Sequence, residues 1–189
     1  MPILRRESDL YPGDLFSIEV GTMPWEILHL RSRQEKTVAR LLTDHHEPFY
    51  LPQIEKEVKR EGRIFRSFLP LFQGYLFIRQ TESVREVLWR TRAVARLIRV
   101  EDQAQFHREL QQIRSLQLAG ATLIPQVDLA PGDPVKIVSG VFSGYIGTVV
   151  RERDAVRLIV SISALNKSVV AELPREAVAP ARPGARIGR

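Results

Sequence analysis

WEILHLRSRQEK, residues 25–36, sets the frame for the larger part of the chain. Its first half, Trp25–Leu30, is nearly continuous in apolar residues, as a strand buried on both faces would be. Ser32 follows, with Glu35 three residues later, the spacing of a capping box that opens a helix. Val38, Leu41, Leu42 and His45 then fall on one helical face, with Arg33, Lys36 and Arg40 largely off it. Pro48 cannot continue the helix, which the reading ends near His45. Upstream, residues 1–24 hold Pro2, Pro12, Gly13, Gly21 and Pro24 without a sustained period. They read as a leader, either an irregular arm or a short docked segment.

Downstream, residues 48–72 predict a long hairpin. Ile54 and Val58 alternate with charges, Glu61-Gly62 supplies the turn, and Ile64, Phe65 and Phe68 return. YLFIR (Tyr75–Arg79) reads as another buried strand, followed by a short helix over 83–92 and a strand over 96–100. Asp102, with Gln105 three residues on, caps a last helix that buries Phe106, Leu110, Ile113 and Leu116. The order β-α-β-β-β-α-β-α implies an α+β domain over 25–119, a mixed, largely antiparallel sheet with packed helices. Residues 120–130 carry one proline and no period, and are expected to be the linker. From Pro131 to residue 178, short strands at 135–139, 147–153, 157–163 and 167–173 are separated by Gly or Asp/Asn turns. They fit a small SH3-like β-barrel. The closing stretch 179–189 is basic and is expected to be disordered.

Composition narrows the function classes. Of 189 residues, 44% are hydrophobic and 26% charged, the balance of a globular protein with a real core. No apolar run reaches the ~18–20 residues of a membrane span, and the N-terminus lacks the pattern of a secretory signal. Cysteine is absent, which excludes disulfides, Cys-ligated zinc and a thiol nucleophile. A cytoplasmic protein is expected. The net charge of +6 comes from the two folded parts, the leader being mildly acidic, and suits contact with nucleic acid or an acidic protein surface. His29, His45, His46 and His107 are scattered, and no phosphate-cradling loop, nucleophile elbow or zinc-binding helix motif appears. The reading is therefore a binding protein without catalytic residues, metal or cofactor.

Two segments carry a family resemblance. PGDPVKIVSGVFSGYIGTVVRE (131–152) resembles the KOW segment of the NusG family and of certain ribosomal proteins. Gly132 turns the chain into the first strand, Gly140, Gly144 and Gly147 shape a tight loop, and Phe142 is the expected barrel plug. The N-terminal domain resembles that of NusG through Trp25, the R-Q-E-K run at 33–36 and LFQGYLFI (71–78). There Phe72, Gly74 and Tyr75 match the family's F-P-G-Y, with Gln73 in place of proline. The resemblance spans about residues 25–178, and the leader and departures from consensus look like those of a specialised paralogue.

The resemblance implies a transcription elongation factor that modulates pausing, termination and antitermination, as an operon-specific antiterminator. Its partner would be RNA polymerase, gripped at the clamp helices of the largest subunit by Trp25, Phe72, Gly74 and Tyr75. The hairpin cations Lys56, Lys59, Arg60, Arg63 and Arg66 are candidates for contact with upstream or non-template DNA. Glu55, Glu57 and Glu61 are interleaved with them, so a solvated hairpin with cross-strand ion pairs stands beside that reading. A second basic set, Arg85, Arg90, Arg92, Arg96 and Arg99, surrounds the short helix. In the barrel, Leu165, Asn166 and Lys167 occupy the family's docking loop for a small-subunit ribosomal protein or Rho, with Asn166 taking the left-handed conformation of the usual Gly. The alternative is a ribosome- or RNA-binding KOW protein acting in translation.

Overall fold

The computed structural model describes residues 8–60, 63–126, 135–136, 146–147, 149–152 and 155–174. The chain divides into two units, Met1–Gln111 and Gln112–Arg189. The first contains β1 (Leu10–Tyr11), β2 (Trp25–Leu30), α1 (Glu35–Asp44), β3 (Phe49–Tyr50), β4 (Gln53–Arg60), β5 (Arg63–Pro70), β6 (Tyr75–Arg79), α2 (Val84–Trp89) and β7 (Val94–Arg99). The boundary falls inside α3 (Gln103–Leu118).

The continuous apolar character of Trp25–Leu30 has a simple cause. β2 lies inside a five-stranded sheet of order β1-β3-β6-β2-β7, paired antiparallel with β6 on one side and β7 on the other. Leu28 and Leu30 face one way, into a cluster with Val38, Ala39 and Leu42 of α1 and Val84, Val87 and Leu88 of α2. Trp25, Ile27 and His29 face the other way by strand alternation. That second face is aromatic: Trp25, Tyr50 and Phe77 are all fully buried. Phe106 of α3 covers it, its ring 6.2 Å from Trp25 and 5.6 Å from Phe77.

The leader is a docked segment over residues 8–24, not an irregular arm. β1 pairs with β3, Leu10 opposite Tyr50. A 3-10 turn at Leu15–Ser17 buries Leu15 completely and sets the Phe16 ring 5.2 Å from Tyr50 and 5.9 Å from Trp25. Arg79, also completely buried, lies 4.8 Å from the centre of the Trp25 ring. One of its terminal nitrogens donates to the Ile18 carbonyl at 2.9 Å and the Glu19 carbonyl at 2.6 Å. Burial lowers its pKa to about 10, so it stays a cation at neutral pH. A buried charge of this kind needs acceptors, and the leader supplies two of them, both to the same terminal nitrogen.

Other expectations are corrected or refined. The Ser32–Glu35 capping box does not form: Gln34 precedes α1 without a side-chain cap, and Arg33 adopts φ 63°. Glu35 reaches elsewhere, as described below. Asp102 does cap α3, accepting from the Gln105 amide at 2.9 Å. α2 is shorter than expected and begins at Val84, whose amide donates to the Thr81 hydroxyl at 2.9 Å. Thr81 and Ser83 donate in turn to the buried carboxylate of Glu47. β4 and β5 form the expected hairpin as a sheet of their own, in register from Gln53↔Pro70 to Arg60↔Arg63. The expected turn at Glu61-Gly62 lies outside the described residues.

In the second unit, β8 (Thr122–Gln126), β9 (Val135–Lys136), β10 (Ile146–Gly147), β11 (Val149–Glu152), β12 (Ala155–Ile162) and β13 (Lys167–Pro174) form two antiparallel sheets, β11-β12-β13-β8 and β10-β9. The expected linker is therefore a strand over Thr122–Gln126. Pro125 suggested a connection, but β8 lies at the sheet edge, where proline's missing N–H is tolerated. Gly132, Gly140, Phe142 and Gly144, on which the SH3-like barrel expectation rests, lie outside the described residues, as does the tail over 179–189. Gly147 pairs with Val135.

Candidate functional site

β2 and β6 run antiparallel with Trp25 opposite Arg79 and His29 opposite Tyr75. The aromatic face thus starts in the core at Trp25 and reaches the surface at His29. Four residues of strand separate the two ends, roughly 13 Å at a rise of about 3.3 Å per residue. Trp25 is 0% exposed and Phe72 is 4% exposed, so both belong to the core. The Phe72 ring packs edge-on against Phe77 at 5.7 Å, anchoring the turn before β6 from beneath. Tyr75 is half-buried and stacks on His29, with ring centres 5.0 Å apart and planes 22° apart. The four residues expected to form one patch therefore separate. Gly74 and Tyr75 stand at the surface end, Phe72 lies under them, and Trp25 is at the far end of the strand pair.

The turn itself is tightly specified. Gly74 has φ +82°, a conformation that L side chains rarely adopt. Its carbonyl accepts from the Leu30 amide at 2.7 Å, and its amide donates to Glu35 Oε1 at 2.7 Å. The Tyr75 amide donates to the Phe72 carbonyl at 3.1 Å. Next across the sheet, Arg96 of β7 stands opposite His29. Arg96, His29 and Tyr75 thus form one row across three adjacent strands, open to solvent at Arg96.

The same end of the sheet gathers charge. The Arg31 amide donates to the Ala93 carbonyl at 2.8 Å, tying the loop after β2 to the loop before β7. Arg31, Arg33, Arg92 and Arg96 are all exposed. None has an acidic partner among the described residues, whereas Arg85 pairs with Glu26 at 3.4 Å and Arg90 with Glu86 at 2.6 Å. The second basic set thus divides into paired and unpaired members. A group of arginines without ion pairs among the described residues, each with a planar fork of donors, is suited to phosphate.

The hairpin is less uniform than its composition suggested. Arg66 is held by Glu55 at 3.2 Å and Glu57 at 3.3 Å. Such exposed pairs add little stability, but they neutralise that face. Lys56 and Arg63 are exposed and, by register, lie on the opposite face from these glutamates. Lys59 stands opposite Ile64, and Arg60 opposite Arg63. Ile64, 56% exposed, leaves an apolar residue near the tip.

In the second unit, a 3-10 turn at Ser163–Leu165 leads into Asn166 at φ 49°, ψ 42°, the left-handed conformation expected of it. Leu165 and Lys167 flank it, both half-buried. Among the described residues no group of three or more His, Asp or Glu side chains is placed to hold a metal ion. No helix among them is long and apolar enough to cross a membrane.

Sequence reasoning missed His29, Glu35 and the loop arginines Arg31 and Arg33 as a group. His29 was legible from alternation, being two and four residues from Ile27 and Trp25. Glu35 carried no such signal, because its partner lies 39 residues away. Residues 23–118 of the chain match the family model described as NusG, transcription termination factor nusG. No curated protein matches the chain.

Proposed function

Because this chain belongs to the NusG family of transcription elongation and termination factors, we propose that it grips RNA polymerase through the surface end of its aromatic face. The family binds RNA polymerase generally; the finer reading concerns which residues do so here. Tyr75 stacked on His29, beside the Gly74 turn, offers a rigid aromatic ledge, and rigid aromatic anchors dominate protein interfaces at low entropic cost. Its proposed seat is the clamp helices of the largest subunit. The observation that carries the reading is the row Arg96–His29–Tyr75, which emerges from a sheet packed on both faces. Phe72 contributes by supporting the turn and Trp25 by filling the core, so neither supplies contact area.

The unpaired arginines at the same sheet end extend this surface toward DNA. A protein seated at Tyr75 would present Arg31, Arg33, Arg92 and Arg96 to the exposed non-template strand. On the hairpin, Lys56 and Arg63 are better placed for upstream DNA than Arg66, which Glu55 and Glu57 already occupy. Binding energy alone then biases the polymerase against pausing, with no chemistry by this chain. The second unit, with its Leu165–Lys167 loop, is the proposed recruiter of a further partner, a small-subunit ribosomal protein or Rho. Tethering to the first unit raises the effective concentration of that partner. Action on selected operons as an antiterminator is the proposed biological setting.

The test is titration of core RNA polymerase with the full chain, Tyr75→Ala and His29→Ala. The intact chain is expected to form a stoichiometric complex. Tyr75→Ala should weaken it by roughly 30-fold, the loss typical of an interface anchor. An unchanged affinity in Tyr75→Ala, or a chain that ignores polymerase and holds ribosomal RNA instead, overturns the reading.

A further inference from the structure

Glu35 opens α1 and is only 6% exposed, yet it has no ion pair with any described cation. A carboxylate withdrawn from water is costly unless hydrogen bonds replace the lost solvent. A helix N-terminus favours negative charge, but an exposed glutamate would satisfy that preference equally well. What burial achieves here is reach: Oε1 accepts from the Gly74 amide at 2.7 Å, across 39 residues of chain. Arg33, at φ 63°, turns the backbone just before the helix, so that Glu35 follows a bend and not a helical cap.

The turn that Glu35 meets depends on outside restraint. Gly74 sits at φ +82°, and glycine has more backbone freedom to lose than any other residue. Among the described residues, two backbone-to-backbone bonds hold the turn, Leu30 to Gly74 and Tyr75 to Phe72. A further bond, from the Gly74 amide to Glu35, is made to a side chain. It is also charge-assisted, and such bonds are stronger than neutral ones.

We propose that Glu35 is a positioning residue for the polymerase-docking turn, its carboxylate fixing Gly74 so that Tyr75 is presented against His29 before any partner arrives. The inference rests on the reading that Tyr75 docks on polymerase. Its benefit is preorganisation: a turn fixed in advance loses less freedom on binding. Glu35 itself makes no contact with the partner in this scheme.

The experiment measures the affinity of the full-length chain for core RNA polymerase, with thermal melts and hydrogen exchange at the Gly74 amide. Glu35→Ala is expected to bind about tenfold more weakly, the scale of one hydrogen bond to a charged group, and to lose protection at Gly74. Glu35→Gln keeps an acceptor oxygen at the same reach and should restore binding to within about threefold of native. Glu35→Asp, one methylene shorter, should resemble Glu35→Ala, and it carries the test if the alanine variant does not fold. Adding Glu35→Ala to Tyr75→Ala should cost nothing further, because both remove the same interaction.

A folded Glu35→Ala or Glu35→Asp chain that binds like native, while Tyr75→Ala binds weakly, overturns this inference and leaves the docking reading intact. Additive losses in the double variant also overturn it, since Glu35 would then act elsewhere. Loss of affinity in Glu35→Gln equal to that in Glu35→Ala overturns it as well, because the charge and not the bond would matter. If Tyr75→Ala itself has no effect, the docking reading falls and takes this one with it.

Discussion

Replacing Leu15 by alanine tests whether the leader is part of the first domain's core. Leu15 lies in the 3-10 turn between β1 and the carbonyls that accept from Arg79, and it is 0% exposed. Leu→Ala at fully buried sites costs about 2–5 kcal/mol, depending on how far the cavity collapses. The leader on either side of Leu15 is anchored by the β1–β3 pairing and by the Phe16–Tyr50 ring contact, which limits how far the chain can collapse. We therefore expect about 3 kcal/mol. For a domain near 100 residues, each kcal/mol moves Tm by about 4–8 °C, so the melt should fall by roughly 15 °C. Urea unfolding followed by tryptophan fluorescence is the assay, because Trp25 is in the same cluster as Phe16. The midpoint should drop at an unchanged denaturant slope. A loss below about 1 kcal/mol, the ordinary scale of a mild substitution, would mean that the leader is dispensable and the reasoning wrong.

Other outcomes follow from single groups. His107 accepts from the Trp25 indole at 3.1 Å, and its pKa is lowered by burial first, then by Arg79 and Arg108, against a hydrogen bond with the Phe16 backbone that raises it. The unfolded chain therefore takes up this proton first on acidification. Stability should be level above about pH 7 and decline as pH falls through the ordinary histidine value near 6.5 toward the lower folded value; His107→Asn should remove that part of the slope in chemical denaturation across pH. Gly74→Ala meets His29 and Leu30 only at 3.8–3.9 Å, so space is adequate and the penalty comes from φ alone. We expect about 1–2 kcal/mol, read as a lower Tm with weaker polymerase binding. For single-stranded DNA, Arg31→Ala should lower the slope of log affinity against log salt by about 0.7, the share of a single phosphate. Arg66→Ala should leave that slope unchanged, since two glutamates already engage Arg66.

Legibility in the sequence followed the range of the interactions involved. Trp25–Leu30 and Tyr75–Arg79 declared themselves because strands covered on both faces of the sheet must be apolar on both. The Asp102 cap and the left-handed Asn166 were readable because each is settled within a few residues. The leader was not, since a two-residue strand and a three-residue turn have no period. Ser32 and Glu35 show how a local rule fails: the spacing suits a cap, but a stronger partner at Gly74 claims the carboxylate. Aromatic identity gave no depth. Trp25, Phe72 and Tyr75 were expected on one patch, and burial separates the two that are sealed from the one that reaches solvent. Charge counts misled for the same reason, since pairing and not number distinguishes Arg66 from Arg31.

The bond between Arg79 and the leader also has a consequence in time. Ile18 and Glu19 leave the ribosome early, but the guanidinium that needs them is made 61 and 60 residues later. The histidine that receives the Trp25 indole follows 82 residues after that tryptophan. During synthesis, at about 5–20 residues per second, the first stretch must wait several seconds with its greasy side chains uncovered. The contacts of Arg79 with the opening segment and of Trp25 with the last helix can form only after that. A chaperone that holds nascent chains would find its best target in this interval, and a pause placed after α3 has emerged would let those contacts form before the second unit follows.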